Sequence, residues 1–314
     1  MKTLSKKSDI ASNRKHFFRL TSHDISAWAL MLPSLFLFFF IMWQPIYTGI
    51  KNSFFELKGY TAVGFVWLDN YKKVLSDTLF PVVLKNTFTY ILWSFVIGFL
   101  PPFICAVFVN EMVHLKGYFK FSIYFPVIIP SVAVYMIWYF FYQPGEGGIL
   151  NYFLSIFKLP PSMWLQNTKL TIMLIVLTMS WHSFGGTMIT YLAALQGINQ
   201  ELYEAAKIDG ATRWQTIYKI ILPLLKPTVI VMFILAIGNM MRADFGLFYY
   251  VPNNTGILYE VTDVLDTYIY RTLKQLGDIC GSSAVSAFQA IVGLVLVLLS
   301  NWAIRVIDEE NAMF

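Results

Sequence analysis

An all-α integral membrane protein with six transmembrane helices is the fold class this sequence predicts, and three observations predict it. Apolar side chains make up 57% of the chain and charged ones only 13%, a balance foreign to a soluble domain of this size. The apolar residues gather in separate runs without Asp, Glu, Lys or Arg, several of them longer than the ~20 residues a helix needs to cross a bilayer. The basic residues behind the net charge of +5 stand at the edges of those runs, which fits membrane orientation and gives no reason to invoke nucleic acid.

The first segment, residues 1–26, is a basic tail, either solvated or carrying a short interfacial helix at 14–20. Residues 27–50 are uncharged and form the first span. A cleaved signal peptide competes, because a basic region precedes the run. The run is longer than an h-region and no small-x-small site follows it, so an uncleaved helix is expected. Residues 51–80 read as an outer loop. The second span, 86–110, is bent by Pro101 and Pro102, and the third, 121–145, is a kinked helix with Pro126 and Pro130 one turn apart. A loop with one short helix covers 146–169, where GEGG and Pro160–Pro161 punctuate the chain. The fourth span begins at Leu170. A charged stretch, 196–227, separates it from the fifth, 224–251. A polar loop, 252–278, leads to the sixth span, 279–304. In domain terms, 27–80 is the first helix with its outer loop, 81–307 a five-helix core, and 308–314 a short tail.

Cys105 and Cys280 show no CxxC spacing, and His16, His23, His114 and His182 are scattered with no HExxH. Neither a disulfide framework nor a metal site is expected.

Six spans put both termini on one side, and basic residues choose the side. With the termini inside, the inner segments hold Lys2, Lys6, Lys7, Arg14, Lys15, Arg19, Lys116, Lys120, Lys207, Arg213, Lys219, Lys226 and Arg305. The outer loops hold only Lys51, Lys58, Lys72, Lys73, Lys158, Arg271 and Lys274. The positive-inside rule therefore predicts cytoplasmic termini and a cytoplasmic 196–227 loop.

That loop reads as two short helices with a bend. Leu202, Ala205, Ala206 and Ile208 fall near helical spacing for one contact face, with Glu201 and Glu204 in the first turn, where carboxylates favour the helix dipole. Gly210 can take the left-handed conformation that ends a helix. Thr212 followed by Gln215 resembles a capping box that restarts one. The second helix places Trp214, Ile217, Tyr218 and Ile221 on one side before Pro223 stops it. Physics alone leaves two readings, a docking element for another protein or an amphipathic linker lying on the inner membrane surface.

The spacing of Glu204-Ala205-Ala206, Gly210, Ile220, Leu222 and Pro223 resembles the EAA loop of permease subunits of binding-protein-dependent ABC importers. Asp209 and Ala211 extend it to the DGA form of the carbohydrate-uptake branch. Similar phrases are Leu68-Asp69-Asn70-Tyr71, Asn86-Thr87, Ala194-Leu195-Gln196, Leu202-Tyr203-Glu204 and Gly281-Ser282-Ser283-Ala284, as in maltose-type and glycerol-phosphate-type permeases, and Ala312-Met313-Phe314, as in oligosaccharide and polysaccharide permeases. Ile217 departs from the Phe of many relatives. The extra N-terminal spans and large outer domain of the enterobacterial maltose subunit are missing.

The resemblance implies a type I importer transmembrane domain in a bacterial plasma membrane. It implies four kinds of partner: a second permease, two copies of a cytoplasmic ATPase, an extracellular solute-binding protein and membrane lipid. The first EAA helix would dock in an ATPase cleft, with Glu204 the charged contact and Gly210 the bend. The chain contains no GxxxxGK[ST], so ATP and Mg would be bound by the partner and this chain would hold no cofactor.

Polar groups inside spans are candidate substrate contacts. Asn239 and Arg242 lie in span five, followed by Asp244, and the resemblance favours them as cavity residues. The other reading has Arg242 snorkelling to the interface and Asn239 joining two helices. Trp181, His182, Tyr135 and Trp138 offer rings for the C–H faces of sugars, although rings at span ends, such as Tyr249 and Tyr250, also serve as interface anchors. Gln289 reads as an interhelical hydrogen bond. The function expected is carbohydrate import, of an oligosaccharide. Glycerol-phosphate or polyamine import is the alternative within the resemblance. An ion-coupled carrier is the alternative outside it, disfavoured because the spans lack paired ionisable groups.

Overall fold

The computed structural model describes residues 22–308, with side chains from Ser26; the interfacial helix considered at 14–20 lies outside the described residues. The chain divides into two compact units, Met1–Lys51 and Asn52–Phe314.

The described residues of the first unit are helical. Helix α1 (Ser22–Phe38) passes through a π turn (Phe39–Trp43) into α2 (Gln44–Ser53). The π turn is followed at once by Gln44–Pro45. Proline lacks an N–H and its ring crowds the carbonyl one turn back, and the wider π turn relieves both faults without ending the helix. Residues 26–53 thus make one apolar span.

The second unit opens with an element the all-α expectation lacked. Strands β1 (Phe55–Lys58) and β2 (Thr61–Phe65) form an antiparallel hairpin. Gly59 sits at its turn with φ of +63°, a conformation glycine adopts without a Cβ penalty. After α3 (Asp69–Leu75), α4 (Phe80–Gly98) and α5 (Leu100–Glu111) make the second span, interrupted at Phe99, with the proline pair in the first turn of α5, where missing N–H groups cost nothing.

The third span corrects the expectation of one kinked helix. Helices α6 (Lys116–Ile128) and α7 (Ser131–Phe141) meet at 93°. Pro130 forces the preceding Ile129 out of the helical region, to ψ of 134°. Pro126 is carried inside α6. Next come α8 (Ile149–Ile156), the short helix expected in the loop, and α9 (Thr168–Gln196), capped by the Asn167 side chain.

Two helices follow in the charged stretch, α10 (Gln200–Ile208) and α11 (Arg213–Thr216), and here a second correction arises. Pro223 does not stop the helix. A π turn (Ile217–Ile221) precedes Leu222–Pro223, and the chain continues as α12 (Leu222–Asn239), so 213–239 is one span. The same device, a π turn directly before an X–Pro pair, appears in the first unit. Span five ends at Asn239 rather than 251. Helix α13 (Phe245–Tyr250) replaces the end of the expected span, α14 (Tyr259–Thr262) and α15 (Leu265–Lys274) fold where a polar loop was expected, the three make a cap, and α16 (Ile279–Ile307) is the last span. Among the described residues five helices are long and apolar enough to cross a bilayer, and the bent α6–α7 pair makes a sixth crossing if counted as one span.

Polar side chains of α4 hold the cap down. Asn86 Nδ2 donates to the carbonyls of Glu260 and Asp263 at 2.9 and 3.0 Å. Tyr90 donates to Val261 O at 2.9 Å, and the Leu265 N–H donates to Thr87 Oγ1 at 3.1 Å. Inside the cap, the Arg271 guanidinium pairs with Asp263, whose side chain is 4% exposed. One apolar cluster, including Tyr135, Ile175, Leu247 and Val264, lies beneath the cap. Another, including Ala106, Met188, Tyr191, Ile221 and Leu225, lies at the α10 end.

Candidate functional site

The feature that builds a site is the break after α12. Residues 240–244 leave the helix inside a bundle of membrane helices, where irregular backbone persists only if its polar groups find partners or line a wet cavity. Both conditions are met. The Ala243 N–H donates to Asp266 Oδ2 at 2.8 Å, Gln289 of α16 donates to the Met241 carbonyl, and the Arg242 N–H returns to Asn239 O at 3.0 Å. Gln289 also reaches Asp266 at 3.1 Å. Gln289 therefore makes the interhelical bond expected of it, and its partner is the broken backbone. Burial pushes the Asp266 carboxyl above its usual range, opposed by the Ala243 N–H, the Gln289 amide and the charge of Arg242.

The break borders a cavity of about 470 Å³ between α4, α7, α9 and α12. Four of the six residues singled out for substrate contact meet there: Tyr135, His182, Asn239 and Arg242. Tyr135 is buried and its O–H donates to Asp244, the residue that caps α13 by accepting the Leu247 N–H at 3.2 Å. Arg242 and Asp244 do not form an ion pair. The His182 ring packs edge-on to Tyr135 at 5.5 Å, and its Nε2 has no hydrogen-bond partner among the described residues. Asn239 bonds back to Leu235 O at 3.1 Å, inside its own helix, rather than joining two helices.

Trp138 and Trp181 are not brought into this cavity. Trp138 stacks on Tyr142 at 5.1 Å and meets Trp181 edge-on at 5.5 Å. Trp181 lines a separate apolar groove of about 1020 Å³ between α4, α6 and α9. The sequence reading missed Thr87, Tyr90 and Ser94, which also line the polar cavity. A signal was available: 87, 90, 94 and Gly98 repeat at three and four residues, a polar and small stripe along one face of an apolar helix.

At the other end of α12, the charged stretch is two capped helices. Asn199 accepts the Glu201 N–H at 3.1 Å at the start of α10. Gly210 has φ of +73°, and the Ala211 N–H closes on Ala206 O at 2.9 Å, a left-handed helix end. The capping box forms, with the Thr212 N–H on Gln215 Oε1 at 2.7 Å and the Gln215 N–H on Thr212 Oγ1 at 3.3 Å.

The expected contact faces change. Ala206 is buried, whereas Leu202, Glu204, Ala205, Ile208 and Asp209 are exposed. Tyr203 packs on the cluster below, which turns Ala206 inward. In the second helix, Ile217 faces that cluster and Ile221 is buried in it, but Trp214 and Tyr218 are 71% and 74% exposed. The four therefore split between two faces. Ile220 and Leu222 are half-buried and Pro223 exposed.

Comparison with known proteins agrees with this architecture. Residues 102–311 match the family described as "Binding-protein-dependent transport system inner membrane component". The chain belongs to that family. Its members are non-catalytic permease subunits of ABC transporters, so this is a multi-pass membrane permease and ATP hydrolysis lies on a separate partner. The chain is 30% identical over 287 residues to the polygalacturonan/rhamnogalacturonan transport system permease protein YteP of Bacillus subtilis, covering 90% of this chain and 88% of that one. It is 31% identical to the arabinooligosaccharides transport system permease protein AraP of the same organism, covering 84% and 83%. Among solved structures, a chain of a bacterial alginate ABC transporter, in complex with an alginate pentasaccharide-bound periplasmic protein, superposes with a TM-score of 0.81 at 30% identity, covering 91% of this permease and 96% of that chain.

Proposed function

We propose that the chain is the permease subunit of an ATP-driven importer that takes up an oligosaccharide handed over by an extracellular solute-binding protein. The observation that carries the coupling half is α10: an exposed helix bearing Glu204, ended by Gly210 at φ of +73° and slung between two membrane spans. A stiff, water-exposed helix held at both ends transmits displacement to the spans, whereas a flexible linker would absorb it. The first helix docks in a cleft of the ATPase through Leu202, Glu204, Ala205, Ile208 and Asp209. Ala206, Ala211, Ile217, Ile220, Leu222 and Pro223 set its seat on the spans. Two ATPases and a second permease complete the assembly, ATP and Mg sit on the ATPases, and the termini are cytoplasmic, in keeping with the basic residues that flank the spans.

The cavity beside the broken fifth span is the substrate path, with Tyr135, His182, Asn239 and Arg242 on its wall. Discontinuous helices commonly line such paths, because their unwound backbone offers polar groups at membrane depth. The relatives named for polygalacturonan, arabinooligosaccharides and alginate support a carbohydrate cargo. The test is reconstitution of the whole importer in vesicles. Glu204→Ala or Gly210→Pro should abolish uptake while the permease remains in the membrane and ATP is still hydrolysed. Undiminished uptake by both variants, or uptake without ATP, refutes the assignment.

A further inference from the structure

We propose that the imported sugar carries a carboxylate, as a uronic acid unit does, and that Arg242 is the residue that reads it. The inference rests on the carbohydrate-import reading above. Arg242 stands on the broken segment, exposed, and lines the cavity. Among the described residues no carboxylate lies within ion-pair distance of it, and its side chain makes no hydrogen bond. Both acidic neighbours accept hydrogen bonds from other donors, and Asp266 feels the charge of Arg242 without direct contact. Asp244 accepts the Tyr135 O–H and the Leu247 N–H, and Asp266 accepts the Ala243 N–H and the Gln289 amide. A guanidinium among membrane helices is costly to keep unless something in its cavity compensates it. Its planar fork of donors matches the two oxygens of a carboxylate.

Charge decides against the other ligand classes. A neutral sugar would reach the Ser94 hydroxyl but would give the guanidinium no ion-pair partner. A phosphate dianion would place a second negative charge on the group beside Asp244, which lines the same cavity. A uronic acid unit presents Arg242 with a single negative charge on a two-oxygen group that matches its fork, while the remaining sugar hydroxyls face Asn239 and the unpartnered Nε2 of His182.

The experiment uses the complete importer, with its binding protein, in ATP-loaded proteoliposomes. Uptake is compared for trigalacturonate, for its carboxyl-reduced counterpart galactotriose, and for glycerol phosphate. The binding protein imposes its own preference, but that preference cancels when the acid-to-neutral uptake ratio of a variant is divided by that of the wild type. The expected result is that the wild type prefers trigalacturonate, Arg242→Gln lowers the ratio at least tenfold, and Arg242→Lys, which keeps charge but loses the fork, lies between. An unchanged ratio in Arg242→Gln overturns the inference, as does a wild-type preference for galactotriose or glycerol phosphate. Uptake of none of the three also overturns it, while ATP-driven uptake of a different neutral sugar by the same vesicles would leave the importer reading standing. Should Arg242→Gln fail to assemble, the wild-type preference and the Arg242→Lys ratio still decide.

Discussion

Adding a single methyl group at Gly185 should loosen the crossing of α6 and α9. A Cβ there would lie 2.3 Å from the Ile123 carbonyl oxygen, 2.8 Å from Tyr124 Cα and 2.9 Å from the Ile123 carbonyl carbon. All three are backbone atoms, so no rotamer change relieves the contact. Reaching ordinary van der Waals separation requires the helices to part by about 1 Å, a gap that forfeits a quarter to a half of each dispersion contact along the crossing. Overpacking of this kind costs about 1–3 kcal/mol. Replacing glycine by alanine inside a helix returns up to about 1 kcal/mol of propensity, so Gly185→Ala should come out about 1–2 kcal/mol less stable than wild type. The neighbouring glycine is the control. At Gly186 a Cβ would meet only Val127 Cγ1, at 3.9 Å, and Gly186→Ala should be neutral or slightly stabilising. Unfolding of the purified permease in detergent, by SDS titration, compares the two. Equal stability of the two variants would refute the close approach of α9 to the α6 backbone.

The buried pair in the cap offers a second test: Arg271→Met leaves Asp263 charged and uncompensated and should cost about 3–5 kcal/mol, whereas Asp263→Asn combined with Arg271→Met should recover most of the loss. A strictly additive double-mutant cycle would show that the two side chains do not interact. Asp266 makes a pH prediction. Burial raises its folded pKa above that of the unfolded chain, so the stability it contributes is full below the ordinary carboxylate value near about 4 and is lost as the pH rises through the folded value. Asp266→Asn, which keeps an oxygen for the Ala243 N–H, should therefore gain melting temperature relative to wild type as the pH is raised from about 4 to 7. Parallel pH profiles would contradict a buried carboxylate at that position.

Much of this protein was legible before any coordinates because it depends on neighbours a few residues apart. The spans follow from uncharged runs long enough for a bilayer. The stop of α10 and the start of α11 follow from Gly210 and the Thr212–Gln215 box, whose partners lie within one turn. The first part of the EAA-like spacing could be read for the same reason, since Glu204 to Gly210 describes one short helix and the bend that ends it.

The misreadings share a different cause. Pro130 and Pro223 look alike in sequence, yet one separates two helices at a right angle and the other is carried through a π turn. Whether a proline breaks a helix depends on what packs around the freed carbonyls, and the sequence does not display that. The end of span five at Asn239 depends on Asp266 and Gln289, residues 23 and 48 positions from the atoms they hold. The hairpin in the first outer loop went unread because its strands are short and lack a clean alternation of apolar and polar residues.

Locally encoded features, then, were the helices, their caps and the exposed loop between spans four and five. Tertiary packing decided which polar residues share a space. It gathered Tyr135, His182, Asn239 and Arg242 from three segments around one cavity, left Trp138 and Trp181 outside it, and turned Ala206 inward. The division has a physical reason. A cap or a span is satisfied by hydrogen bonds and lipid within its own segment, whereas the broken backbone of span five is stable only because groups from α15 and α16 reach it in the folded bundle.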